Sequence, residues 1–324
     1  MPLGVLVRTK TLLASGIAAL LTAGVALAQA PAQQPAAPQP YRVGTPLGAV
    51  NEAGTAQTMS NNVKVYGSFH FAESCTYDPT RNLIVAMNAG NAQNLVPNDG
   101  FVSLINPDGS VHTSKWIGVT RDELTLNHPL GSAIQGNTLY TVDIDTIRTF
   151  DLATGKPGRA IKIDGATILN GIGVTTDGVI YTSNTREPER IYRVQPNGVV
   201  STFVEGPPLA LPNGVAIDPD GNVVVVNIGS KDVITFTQAG QVVRTEQAAE
   251  AGNDGVVVLP DGTKYVSSVR FGSVSRIRRG QPAEVIATGI PSAASMCYDS
   301  RQNQLVIPLN PNNALAFIPL GRGR

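Results

Sequence analysis

Four oxygen-bearing side chains stand at the head of related stretches of this 324-residue sequence. Glu73 opens ESCTYDPTRNLIVAMN, Asn170 opens NGIGVTTDGVIYTSN, Asn213 opens NGVAIDPDGNVVVVN and Asp254 opens DGVVVLPDGTKYVSS. Two carboxylates and two amide carbonyls make a hard, all-oxygen donor set, and the two negative charges would balance a divalent cation. No thiolate or imidazole stands in the same register to favour zinc. Calcium is the expected ion, because it takes about six to eight oxygens and tolerates irregular geometry. Asn-Gly and Asp-Gly also suit tight turns, so one such position alone would be turn chemistry. Four together, one of them a Glu with no turn preference, favour the ligand set.

The elements that would gather these residues are visible as a repeat. In the last three stretches an Asp-Gly turn begins seven residues after the leading residue, at Asp177, Asp220 and Asp261. Each unit reads as a short apolar strand, a tight turn and a β-branched strand. Further strands follow over 190–194 and 233–237. Degenerate copies begin at Leu130 (LGSAIQGNTLYTVD) and Ala294 (ASMCYDSRQNQLVIP); the latter shares Tyr298-Asp299 with Tyr77-Asp78 of the first unit. The starts at 73, 130, 170, 213, 254 and 294 are separated by (294 − 73)/5, about 44 residues, which suits one four-stranded blade. The spacing predicts an all-β fold over 61–320, a six-bladed β-propeller of four-stranded antiparallel blades. A β-sandwich would leave the fixed period unexplained. Radial symmetry then points Glu73, Leu130, Asn170, Asn213, Asp254 and Ala294 at one axis.

The chain carries 24 basic and 24 acidic side chains, which gives no long-range attraction to nucleic acid. Two Cys exclude a disulfide-dense mini-scaffold and a four-thiolate zinc site. Arg8 and Lys10 precede an apolar run that ends Ala26-Leu27-Ala28, the pattern of a secretory signal over 1–28 with cleavage after 28 or 30. An uncleaved anchor is the competing expectation for a run of this length. Residues 29–60 read as a Pro/Ala/Gln-rich spacer and lead-in. The expected product is exported, periplasmic or secreted, free of the membrane after cleavage, and acts on a small molecule.

Cys75 and Cys297 fall in the inner strands of the first and last units, with opposite parity. Adjacent blades pack opposite faces together, so the two can meet where the ring closes. A disulfide and two buried thiols are both open at this stage.

Two residues are expected to move protons. Asp254 can activate a water or attack directly. His128 is the one His that the repeat places near the channel mouth, and an imidazole suits a base or proton shuttle near neutral pH; a residue merely stacked at the rim is the alternative. Loops joining second and third strands, at 89–99, 143–146, 185–189, 270–272 and 310–313, should lie on the same face. The first is long enough to lid a pocket, and Arg186, Glu187, Arg270 and Phe271 are candidate substrate contacts, with solvated loop tips as the alternative for each. No phosphate-binding loop, nucleophile elbow or H-E-x-x-H helix occurs.

The stretches ESCTYD, NHPLGSA, NGIGVTTDGVIYTSN, LPNGVAIDPDGN and NDGVVVLPDG resemble the gluconolactonase/regucalcin family of six-bladed propellers over roughly residues 64–320. That family is similar to the paraoxonases, diisopropylfluorophosphatase and the strictosidine-synthase-like proteins. The resemblance implies a metal-dependent hydrolase of a lactone or related ester, with a channel cation held by Glu73, Asn170, Asn213 and Asp254. The chain departs from sugar-lactone members at Ile168, where they carry Arg. His128-Pro129-Leu130-Gly131 resembles the paraoxonase and strictosidine-synthase-like branches instead, which implies a less polar substrate. The alternative from another class is a non-catalytic exported propeller serving as a ligand- or protein-binding scaffold. A scaffold has no need of Glu73 and Asp254 facing one axis, and the same site could equally serve a lyase or isomerase.

Overall fold

Asp-Gly turns and β-branched runs build this molecule from antiparallel ribbons. The computed structural model describes residues 48–50, 56–58, 60–67, 69–91, 95–118 and 124–321. The expected signal segment, most of the spacer and residues 92–94 of the first long loop lie outside the described residues. Among the described residues no helix forms.

Six sheets of four antiparallel strands are present. Their innermost strands are Ala72–Asp78, Pro129–Gln135, Leu169–Val174, Pro212–Ile217, Asn253–Val258 and Cys297–Asp299, in blades one to six. Five begin within one residue of the starts expected from the repeat. The sixth is shorter, although a bridge between Ala293 and Leu309 carries its pairing upstream. A separate two-stranded ribbon, Gly48–Val50 with Ala56–Thr58, occurs in the segment expected to be spacer and lead-in.

Blade six is assembled from both ends of the propeller. Its outermost strand is Lys64–Gly67, which pairs with Ala314–Pro319. The inner strands are joined at the same seam: the Cys75 N–H donates to the Ser295 carbonyl at 3.2 Å and the Ser295 N–H to the Glu73 carbonyl at 3.1 Å. Cys75 and Cys297 form a disulfide there, with Cα atoms 5.4 Å apart. The opposite parity of the two positions therefore brings them together as expected.

The core lies between blades. In blade one's second strand, Leu83, Val85 and Met87 pack toward Leu139 and Phe150 of blade two, while Ile84 and Ala86 pack toward Val306 and Phe317 of blade six. In blade four, Val223 and Val225 face blade three, and Val224 and Val226 face blade five. This is the two-residue period of a strand with both faces covered, which is why these strands are apolar at nearly every position. Outer strands such as Val242–Gln247 are largely exposed.

Candidate active site

The leading residues stand on β-bulges. Pairing between the first two strands of a blade shifts between Ala72 and Ser74, Pro129 and Ser132, Leu169 and Ile172, Pro212 and Val215, and Asn253 and Val256. A bulge frees residues from the ladder and re-aims their side chains. Glycines follow four of the leading residues because the blades close tightly at that level. A Cβ on Gly131 would overlap the carbonyl oxygen of Asn170; one on Gly171 would overlap that of Asn213, and one on Gly214 that of Asp254. Blade one solves the same contact with a hydroxyl, Ser74 Oγ donating to the Leu130 carbonyl at 2.5 Å.

The ring of close contacts gathers the four polar residues. Glu73, Asn213 and Asp254 are 4%, 1% and 4% exposed, and Asn170 is half-buried. Asn213 Nδ2 lies 3.4 Å from Asp254 Oδ2. Burial pushes the Asp254 carboxyl up to about 7. Burial first, and the nearby Asp254 charge second, hold Glu73 well above the ordinary carboxylate range. The leading positions of blades two and six, Leu130 and Ala294, are buried and apolar.

Three oxygens of this set, Asn170 Oδ1, Asn213 Oδ1 and Asp254 Oδ1, are buried without a hydrogen-bond partner. An unpaired buried polar atom costs about 1–3 kcal/mol. These three oxygens and the buried Glu73 carboxylate make a strongly electronegative set. The donors are all oxygen, which suits a hard divalent ion. Among the described residues no cluster of three or more His, Cys, Asp or Glu occurs, so amide oxygens must complete any such shell.

One residue of the cluster was absent from the sequence-based set. Asn310, at the end of the second strand of blade six, donates from Nδ2 to Glu73 Oε2 and is 6% exposed. Its Oδ1 accepts from Ser292 Oγ at 3.1 Å. The signal was present in the repeat. Second strands end in Asn88, Asp143, Asn184, Asn227 and Ser268, and these side chains tie down the entry to their own blade.

His128 is buried at the same face. Its main-chain N–H donates to Asp143 Oδ1 at 2.7 Å, and Asp143 is in turn paired with Arg148 at 2.5 Å. Nδ1 lies 2.8 Å from the Ala89 carbonyl, so it carries the proton and donates. The neutral ring then keeps a lone pair on Nε2. Desolvation lowers its proton affinity, which favours that neutral form. Of the loop residues, Arg186, Glu187 and Arg270 are exposed and Phe271 is half-buried. Arg270 packs across Gly252, where a Cβ would meet its Cγ at 2.6 Å.

Bulged strand heads and two buried carboxylates, Glu73 and Asp254, mark the candidate site of a six-bladed propeller. The chain belongs to the SMP-30/Gluconolactonase/LRE-like family, whose model matches residues 47–251. Among solved structures it is similar to a gluconolactonase from Xanthomonas campestris, with 19% identity, a TM-score of 0.61, and 89% of this chain and 99% of that one covered. It is also similar to virginiamycin B lyase from Staphylococcus aureus, with 12% identity, a TM-score of 0.54, and coverage of 80% and 99%. At these identities the likeness is one of fold. A curated relative, actin-interacting protein 1 of Caenorhabditis elegans, is 24% identical over 233 residues, 66% of this chain; the match spans 36% of that protein's length.

Proposed function

We propose that this protein hydrolyses a lactone or related ester at the head of the propeller channel, assisted by a divalent cation, most simply calcium. The observation that supports the reading is that the Asn170, Asn213 and Asp254 oxygens, at successive strand heads, are buried without a partner while the buried Glu73 carboxyl feels the Asp254 charge. Glu73, Asn170, Asn213 and Asp254 would hold the ion. When bound, it supplies Lewis-acid polarisation of a carbonyl and stabilisation of developing negative charge.

The chain's own groups do the rest. Asn310 orients the Glu73 carboxylate through its amide. Asp254 orients or deprotonates a water. His128 presents an unprotonated Nε2, fixed by the Nδ1 hydrogen bond to Ala89, and can accept the proton that water loses and return it to the leaving alcohol. Asp143 holds the backbone that carries the ring. A scaffold propeller gains nothing from burying two mutually repelling carboxylates, which argues against the non-catalytic alternative.

The Cys75–Cys297 bond fits an oxidising compartment and supports the reading of residues 1–28 as an export signal. Sequencing the N-terminus of the mature protein tests this: a start at 29 or 31 supports export, and an intact Met1 in the secreted fraction refutes cleavage.

Elemental analysis of the purified protein, melts with and without EDTA, and a lactone and ester screen test the main reading. One calcium per chain, a melt that falls on chelation, and chelator-sensitive hydrolysis are expected. No bound metal and no chelation shift would reduce the four residues to turn chemistry.

A further inference from the structure

The second strands of blades one to five carry Met87, Val142, Ser183, Val226 and Ser267 as their second-last residues. All five are fully buried. In blades one, two and four this residue shares an apolar cluster with the following blade: Met87 with Phe150, Val142 with Leu169 and Val226 with Val256. Closing one blade on the next therefore calls only for an apolar side chain. Blades three and five place a hydroxyl there instead, and a hydroxyl withdrawn from water costs stability unless it is bonded.

Both hydroxyls are bonded twice, in the same pattern. Ser183 Oγ accepts the Gly171 N–H at 2.8 Å and donates to the Asn213 carbonyl at 2.5 Å. Ser267 Oγ accepts the Gly255 N–H at 2.9 Å and donates to the Ala294 carbonyl at 2.7 Å. Each takes the N–H that follows the strand head of its own blade and gives its proton to the head carbonyl of the next blade. The donor and an acceptor site of each hydroxyl are thereby used.

The peptide after a strand head lies in the bulge, where pairing shifts between Leu169 and Ile172 and between Asn253 and Val256. A bulge disrupts the ladder bonds that would otherwise fix that peptide's plane. The Gly171 N–H belongs to the peptide that leaves Asn170, and the Asn213 carbonyl to the peptide that leaves Asn213. Ser183 thus holds the peptide planes beside two of the proposed ligands with one group. Ser267 does the same for Asp254 and for the buried strand head of blade six. All four bonds go to main chain, so the serines act on the oxygen set through the backbone.

We propose that Ser183 and Ser267 are positioning residues whose hydroxyls set the aim of the Asn170, Asn213 and Asp254 oxygens, and so the affinity of the strand-head site for calcium. This rests on the divalent-cation reading of that site. It adds that cation affinity depends on two buried groups that touch neither the ion nor the substrate.

Threonine and valine share a shape and differ in the hydroxyl, and Val142 and Val226 show that a β-branched side chain fits this place in a blade. In calorimetric calcium titrations of the full chain, affinity should fall about 10–100-fold in Ser183→Val and stay within about twofold of the original in Ser183→Thr. Ser267→Val should weaken binding in the same direction. Melts in EDTA report the loss of fold stability separately. Val224→Ala is the control, a buried valine of blade four further along the strand from the heads. It should lower the EDTA melt by several degrees and leave calcium affinity within about twofold. Equal affinity in the unaltered protein, Ser183→Thr and Ser183→Val would overturn the positioning role and leave the cation site standing. Threonine as weak as valine, or an equal loss of affinity in Val224→Ala, would overturn it as well, since the effect would then be one of packing. No calcium bound by the unaltered protein would end the cation reading, and the positioning role with it.

Discussion

The space a side chain on Gly171 would need is taken by the carbonyl oxygen of Asn213 in the next blade. The residue after the strand head thus sets how closely neighbouring blades approach, and so how closely the oxygens of the proposed ligand set can converge. Gly171→Ala should destabilise the protein by about 3 kcal/mol, the upper range for overpacking, and lower calcium affinity at least about tenfold. Gly136→Ala is the control. That turn glycine has open space around a positive φ, and the change should cost only about 1 kcal/mol without touching the proposed metal site. Thermal melts and calcium titration of the two variants check this.

Asn310→Ala removes the donor that holds Glu73 Oε2. Loss of such an orienting partner typically costs about 10–100-fold in metal affinity or activity. Calcium titration and lactone turnover should fall together, with only a modest change in the melt. Unchanged affinity would make Asn310 a mere strand-end tie, like Asn88.

In EDTA the acidic pair should give the protein an inverted pH dependence. Burial raises Asp254 from 3.8 to about 7, and burial with the neighbouring charge raises Glu73. Both groups bind protons more tightly folded than unfolded. The Asp254 contribution to stability is fully present below about pH 4 and is lost as pH rises through about 7; the Glu73 contribution is lost in the same direction. His128 acts oppositely: its lowered proton affinity costs stability as pH falls below 6.5. The chelated protein should therefore melt lower at about pH 8 than at pH 6, calcium should abolish the difference, and Asp254→Asn should flatten it. A melt that rises over this range in EDTA would contradict the buried pair.

Reduction of Cys75–Cys297, or Cys297→Ser, opens a covalent loop spanning a sequence separation of 222. In the chain-entropy model this removes about 5 kcal/mol, with measured values commonly about 2–4 kcal/mol. The melt should drop by several degrees and thiol labelling of the unfolded, unreduced protein should find no free cysteine.

The repeat carried most of the fold. Glu73, Asn170, Asn213 and Asp254 could be aligned across nearly the whole chain because each sits at a fixed distance from an apolar run and a turn. The same regularity placed Cys75 opposite Cys297. What escaped was whatever broke the period. Lys64–Gly67 precedes the first recognisable unit, so its place as the outer strand of blade six is decided by ring closure rather than by local pattern. Asn310 resembles a loop residue, and its bond to Glu73 crosses 237 residues. Phe71 and Leu211 take positive φ, with their N–H groups donating to Asn313 and Glu189 of other loops, against the ordinary preference of either residue.

The shared sixth blade also imposes an order in time. Lys64–Gly67 leaves the ribosome first among the propeller strands and must wait, unpaired, for Ala314–Pro319, which leaves last. Contacts this remote in sequence form slowly. The ring therefore cannot close before Ala314–Pro319 has been made, so the seam between the first and last blades is the last to be covered.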